Sequence, residues 1–110
     1  MANGWYAVDL DGTLAYYDEW RGPKHIGEPI PLMAARVETW LADGKTVKIF
    51  TARAASTYAE RDIAIDAIQD WTEEHFGVRL EVTAEKDFRM VQLWDDLARQ
   101  VKENTGDLVK

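Results

Sequence analysis

The sequence predicts an α/β fold, a parallel sheet with helices packed on its faces. Two observations carry the prediction. Short apolar runs alternate with segments whose apolar residues recur at helical spacing, in the order strand, helix, strand, helix, strand, loop, strand, helix. Strands joined in this way run parallel, through right-handed crossovers. The 110 residues are 46% hydrophobic and include five Trp, which suits a single domain, 1–110, with one core.

Each element has its own signal. Trp5 to Asp9 is an apolar run that stops at a polar, glycine-containing cluster, the mark of a buried strand followed by a turn. Tyr16 to Pro31, "YYDEWRGPKHIGEPIP", interrupts any periodicity with glycine and proline and mixes aromatic with charged residues. An ordered loop or flap is expected there, at about 16–31. Pro31 suits the first turn of a helix, where its missing N–H costs nothing. Met33, Val37, Trp40 and Leu41 then share one helical face, and Gly44 is a stop.

Thr46 to Arg53, "TVKIFTAR", reads as the second strand. Thr57 and Glu60 have capping-box spacing at the start of the next helix. Ala64, Ala67, Ile68 and Trp71 form its apolar face, and Gly77 ends it. Val78 to Thr83 alternates like a half-exposed or edge strand. Met90 to Asp96, "MVQLWDD", is a short strand ending in two carboxylates. Leu97, Val101 and the residues to Asn104 read as a last helix, stopped by Gly106. Trp40 and Trp71 are assigned to the core. His75 is assigned a favourable place at a helix end.

Composition removes several functional classes. Thirteen Lys plus Arg against 20 Asp plus Glu give a formal net charge of -7, which supplies no general pull toward anionic membrane or long nucleic acid and leaves room for a local basic patch. There is no Cys, which excludes disulfides, thiolate metal sites and Cys nucleophiles. The start, "MANGWYAVDLDGT", has no basic n-region and no apolar h-region, and no apolar run reaches transmembrane length. A soluble, cytoplasmic protein is expected.

Polar clusters fall just past each predicted strand: Asp9 and Asp11, then Thr51 and Arg53, then Lys86, then Asp95 and Asp96. In an open parallel sheet the carboxyl ends of the strands share one edge, where ligands bind. Carboxylates gathered there repel one another and raise each other's pKa. A hard divalent cation relieves that repulsion, and an all-oxygen donor set suits Mg²⁺ with a phosphate. A carboxylate can attack phosphorus, and a second one nearby can move a proton to the leaving oxygen.

Here "DLDGT" at Asp9–Thr13, Thr51 at the end of "KIFT", Lys86 and "LWDD" ending in Asp95 and Asp96 resemble, in order, the four motifs of the haloacid dehalogenase (HAD) superfamily of phosphatases. The resemblance runs from about Trp5 to about Val101. It implies a Rossmann-like three-layer α/β/α fold with strand order 3-2-1-4 and no cap domain. It is closest to small, stand-alone members of bacterial or phage type.

The resemblance also implies roles. Asp9 would be the nucleophile and Asp11 the general acid and base. Thr51 would hold the phosphoryl oxygens, and Lys86 would neutralise them and help hold Asp9. Mg²⁺ would be bound by Asp9, the Asp11 main-chain carbonyl, Asp95 and Asp96. Gly12 would allow the tight turn, with Gly12, Thr13 and Ala52 bordering the phosphate. An Asp at position 11 favours a phosphomonoesterase over a dehalogenase or a transport ATPase. The Lys86 segment, "AEKDFRM", departs from the pattern in lacking a Pro after the Lys, and Leu97 follows the acidic pair where Arg is common. Lys48 and Arg89 are substitutes for Lys86.

Several readings stay open at this point. Arg53 reaches a substrate or pairs with an acid. Arg21, Lys24 and His25 in the flap are a substrate-facing basic cluster or loop surface. Tyr16, Tyr17 and Trp20 line the mouth of the site or pack the flap down. With no room for a cap, the site is open, so its phosphorylated substrate is large or a second subunit of a homo-oligomer covers it. A nucleotide or macromolecular phosphate is allowed. The alternatives are a phospho-accepting domain of the receiver type, disfavoured because its acidic pair comes first along the chain, and an idle scaffold used for binding.

Overall fold

The computed structural model describes residues 4–110. Four strands, β1 (Trp5–Val8), β2 (Thr46–Phe50), β3 (Val82–Thr83) and β4 (Met90–Trp94), form one parallel sheet in the order β3-β2-β1-β4. Two helices, α1 (Pro31–Ala42) and α2 (Arg61–Phe76), connect β1 to β2 and β2 to β3. The α/β class and the strand order are those expected. Among the described residues no helix is long and apolar enough to cross a membrane.

Pro31 opens α1, and Gly77, at φ 76°, closes α2 in the left-handed conformation. The expected capping box does not form. Residues 57–60 precede the helix, whose N-cap is Glu60 without a side-chain bond.

The register decides which face is the core. Tyr6 lies beside Val47, and Val8 beside Ile49 and Trp94, so these side chains share a face. Val8, Val47 and Ile49 form one buried cluster with Met33 and Val37 of α1 and Ile68 and Trp71 of α2. Trp40 is half-buried, its ring 4.8 Å from Tyr6 and 5.3 Å from Trp94 between centroids.

Both helices therefore cover the same face. The chain steps from β1 to β2 to β3 in one direction, and right-handed crossovers put both connections on one side. The expected three-layer sandwich is corrected to two layers among the described residues. On the other face Trp5 is buried beneath Lys48, whose Nζ lies 4.5 Å from the ring, and donates its Nε1–H to Asp87 at 2.8 Å. Val91 and Leu93 are exposed.

Two further expectations change. The third strand is short because Leu80 N–H is taken by Thr72 Oγ1 of α2 (3.1 Å) rather than by a neighbouring strand, and Arg79 pairs with Asp66 and Asp70. The predicted last helix does not form. Leu97 N–H turns back to Asp95 Oδ2 (3.0 Å), and Asn104 and Gly106 take positive φ within a loop closed by a Val101–Leu108 bridge. A helix this short needs an apolar face to dock on, and Leu97 and Val101 stay exposed.

The flap is ordered but carries no helix. Its stems pair through Tyr16 N–H to Glu28 C=O (2.8 Å) and Ile30 N–H to Leu14 C=O (2.7 Å). Trp71 Nε1–H reaches Gly27 C=O at 3.1 Å. At Gly27 a Cβ would sit 2.0 Å from the Tyr16 carbonyl oxygen, so only glycine fits this crossing.

Candidate active site

The site grows from the end of β1. Asp9 N–H donates to Trp94 C=O at 2.9 Å, which sets the ends of β1 and β4 side by side. The chain then turns sharply: Leu10 C=O accepts from the N–H groups of Thr13, Leu14 and Ala15 at 3.2, 3.0 and 2.9 Å. Leu10 and Leu14 are fully buried and pin the turn from below. Gly12 takes φ 87°, and a Cβ there would lie 2.7 Å from Asp96 Oδ2. Both the conformation and the space demand glycine.

This turn brings the carboxylates of Asp9, Asp95 and Asp96 together, with one oxygen from each within 4.8 Å of the others. Thr13 Oγ1 lies 3.3 Å from Asp9 Oδ2 and 3.1 Å from Asp96 Oδ1. Its one proton serves a single carboxylate at a time. Burial, reinforced by hydrogen bonding and charge from Asp96 and Asp95, pushes the Asp9 carboxyl up to about 7. Three carboxylates at one point, two of them half-buried, form a hard oxygen donor set that fits a divalent cation such as Mg²⁺.

Asp11 points to a different partner. Arg53 grips it with two bonds, Nη2 to Oδ1 at 2.7 Å and Nε to Oδ2 at 2.9 Å. The same guanidinium donates from Nη1 to His25 C=O (2.9 Å) and Pro23 C=O (3.4 Å) and lies over Trp20, 4.7 Å from the ring centroid. Arg53 is buried by these contacts, and of the two readings of Arg53 the structure has the pairing with an acid. Thr51 is buried at the head of the short 3₁₀ turn 52–54, where its Oγ1 accepts from Arg53 N–H at 3.2 Å. As an acceptor there, the hydroxyl keeps its own proton to donate.

A cleft of about 910 Å³ opens on Asp9, Asp11, Thr51, Ala52, Arg53, Asp95 and Asp96. Thr13 bonds to Asp96 beside the cleft, and Gly12 has no room for a Cβ against the same carboxylate. Five other basic residues lie elsewhere. Arg21 pairs with Asp18 (2.8 Å) and Glu19 (3.4 Å). Lys24 lines a separate groove beside α2, with Asp62, Asp66 and Asp70. His25 offers the site only its carbonyl. Lys86 is exposed on the loop between β3 and β4 and does not line the cleft. Lys48 is engaged with Glu81 at 3.2 Å, on the Trp5 face of the sheet.

Sequence reasoning did not single out Phe50 and Tyr58, which line the same cleft. Phe50 is hidden in the sequence because it reads as one more strand residue. Tyr58 lies in an irregular stretch with no periodic signal. Compared with models of protein families, with curated proteins and with solved structures, the chain matches none.

Proposed function

We propose that this chain is a divalent-cation-dependent phosphomonoesterase of HAD type, acting through an aspartyl-phosphate at Asp9. The observation that carries the reading is the meeting of Asp9, Asp95 and Asp96 at two adjacent strand ends, with Asp11 held two residues beyond Asp9. Asp9, Asp95 and Asp96 would hold Mg²⁺, which supplies positive charge for the carboxylates and the phosphoryl oxygens.

In this reading an Asp9 carboxylate oxygen bonds to phosphorus while the bond from phosphorus to the ester oxygen breaks. Asp11 gives a proton to the departing oxygen. It then takes one from the water that attacks phosphorus, which releases phosphate and restores Asp9. Each Asp11 oxygen accepts one bond of the Arg53 fork and keeps a second lone pair for the proton, so the fork orients the carboxyl for the transfer. Arg53 thereby acts as the positioning residue for Asp11. The Thr51 hydroxyl supplies a donor to a phosphoryl oxygen.

The test is turnover of a panel of phosphate esters with Mg²⁺. Wild-type activity is expected to fall to background in Asp9→Asn and on chelation. Full activity in Asp9→Asn would sink the nucleophile assignment.

A further inference from the structure

A cleft of about 910 Å³ is far larger than a phosphoryl group requires. It lies in the range of roughly 300–1,000 Å³ that encloses whole small ligands. Away from the carboxylates, its wall is aromatic: Tyr17, Trp20, Phe50 and Tyr58. Trp20 and Tyr17 remain 49% and 44% exposed, a large apolar surface left open to water. Trp20 is nevertheless fixed. Arg53 lies over its ring, and Tyr58 meets it near edge-on at 78°, with centroids 6.2 Å apart. Arg53 in turn is buried and bonded to Asp11, so the indole is set at a defined place relative to the proton donor.

From this we infer that the cleft takes a nucleoside monophosphate, with its base stacked on the aromatic wall at Trp20. The inference rests on the phosphoesterase reading of Asp9 and names the substrate class of that site. The Arg53 guanidinium, bonded to Asp11 and lying over Trp20, sets the platform at one remove from the carboxylates, and a nucleotide likewise carries its ring one sugar away from its phosphate. Charge selects the monophosphate. Arg53 is the one cation lining the cleft among the described residues, and Asp11 and two backbone carbonyls take up four of its five donors, which leaves a single N–H for further phosphates.

The test compares kcat/KM with Mg²⁺ for adenosine monophosphate, ribose 5-phosphate and phenyl phosphate. Adenosine monophosphate is expected to exceed both others by about tenfold or more, carried by KM, as one stacked base provides. Trp20→Leu is expected to remove most of that advantage, and Tyr58→Leu gives a second reading of the same ratio should Trp20→Leu fail to fold. Equal values for adenosine monophosphate and ribose 5-phosphate overturn the inference. So does an equal loss on both substrates in the variants, or phenyl phosphate matching the nucleotide. Binding of adenosine and of ribose, followed by indole fluorescence, separates the two readings. Quenching by adenosine alone, lost in Trp20→Leu, supports the platform even if no ester is hydrolysed. Hydrolysis without base preference and without quenching removes the platform and leaves the phosphatase standing.

Discussion

Arg53 and Asp11, 42 positions apart in the chain, meet through two parallel bonds of 2.7 and 2.9 Å, and the same guanidinium holds the flap by the carbonyls of Pro23 and His25. One side chain thus fixes the second aspartate of the DxD pair and the loop that overhangs it. The fork is planar and has five donors, which a lysine ammonium cannot reproduce.

Arg53→Ala is expected to destabilise the protein by about 2–4 kcal/mol, because it leaves a partly buried carboxylate without its partner. Arg53→Lys is expected to recover less than half of that loss. Urea denaturation measures both. An Ala variant within about 0.5 kcal/mol of wild type would show that the fork is ornamental.

The Asp9 carboxyl is raised from 3.8 to about 7 by burial and its acidic neighbours. Its proton is therefore bound more tightly in the folded chain than in the unfolded one. The resulting stability is fully present below about pH 3.8 and is lost as pH rises through about 7. Asp9 is half-exposed, so solvent screening reduces the effect to about 1–2 kcal/mol between pH 5 and pH 8. Denaturation of metal-free wild type and Asp9→Asn at both values isolates this group. The same pH dependence in both proteins would refute the assignment.

A cation bound at the three carboxylates would stabilise the folded state by mass action. Mg²⁺ at 10 to 100 times its dissociation constant is expected to add about 1–3 kcal/mol at pH 8. The gain is expected to shrink at pH 5, where Asp9 is protonated, and to drop sharply in Asp95→Asn and Asp96→Asn. Thermal melts across a Mg²⁺ titration measure it. A melting temperature that ignores Mg²⁺ at pH 8 would argue that the cluster holds no such ion.

Gly27→Ala places a methyl group 2.0 Å from the Tyr16 carbonyl oxygen, a backbone atom that cannot swing aside. The flap stems must part, at a cost of about 2–3 kcal/mol. Hydrogen exchange at the Tyr16 and Ile30 amides, whose bonds close those stems, is expected to accelerate. Unchanged exchange would mean that the flap accommodates the methyl group without opening.

Much of this was legible in the sequence because it is local. The apolar run of β1, the glycine at position 12 and the carboxylates after β4 fix where Asp9, Asp95 and Asp96 emerge. The partner of Arg53 was not legible, since its choice between substrate and acid depends on residues 28 and 42 positions away. Nor was the missing helical layer. Leu97 and Val101 have helical spacing, but spacing alone does not show whether a face is there to receive them.

The loop between β3 and β4 sets a limit of reach. It must pass from the carboxyl edge of the sheet to the amino edge and cross three strand spacings, with only residues 84–89 to do so. At about 4.8 Å per spacing and about 3.3 Å per strand residue, the gap is on the order of 20 Å. The seven links from Thr83 to Met90 would span about 23–25 Å at full extension. The strap does not run fully extended, because Met90 N–H closes a turn onto Asp87 C=O at 3.2 Å. It is fastened near its far end by Asp87 and Arg89 to Trp5. Lys86 therefore lies on a short segment that spends most of its length crossing the sheet, and its exposure follows from that route.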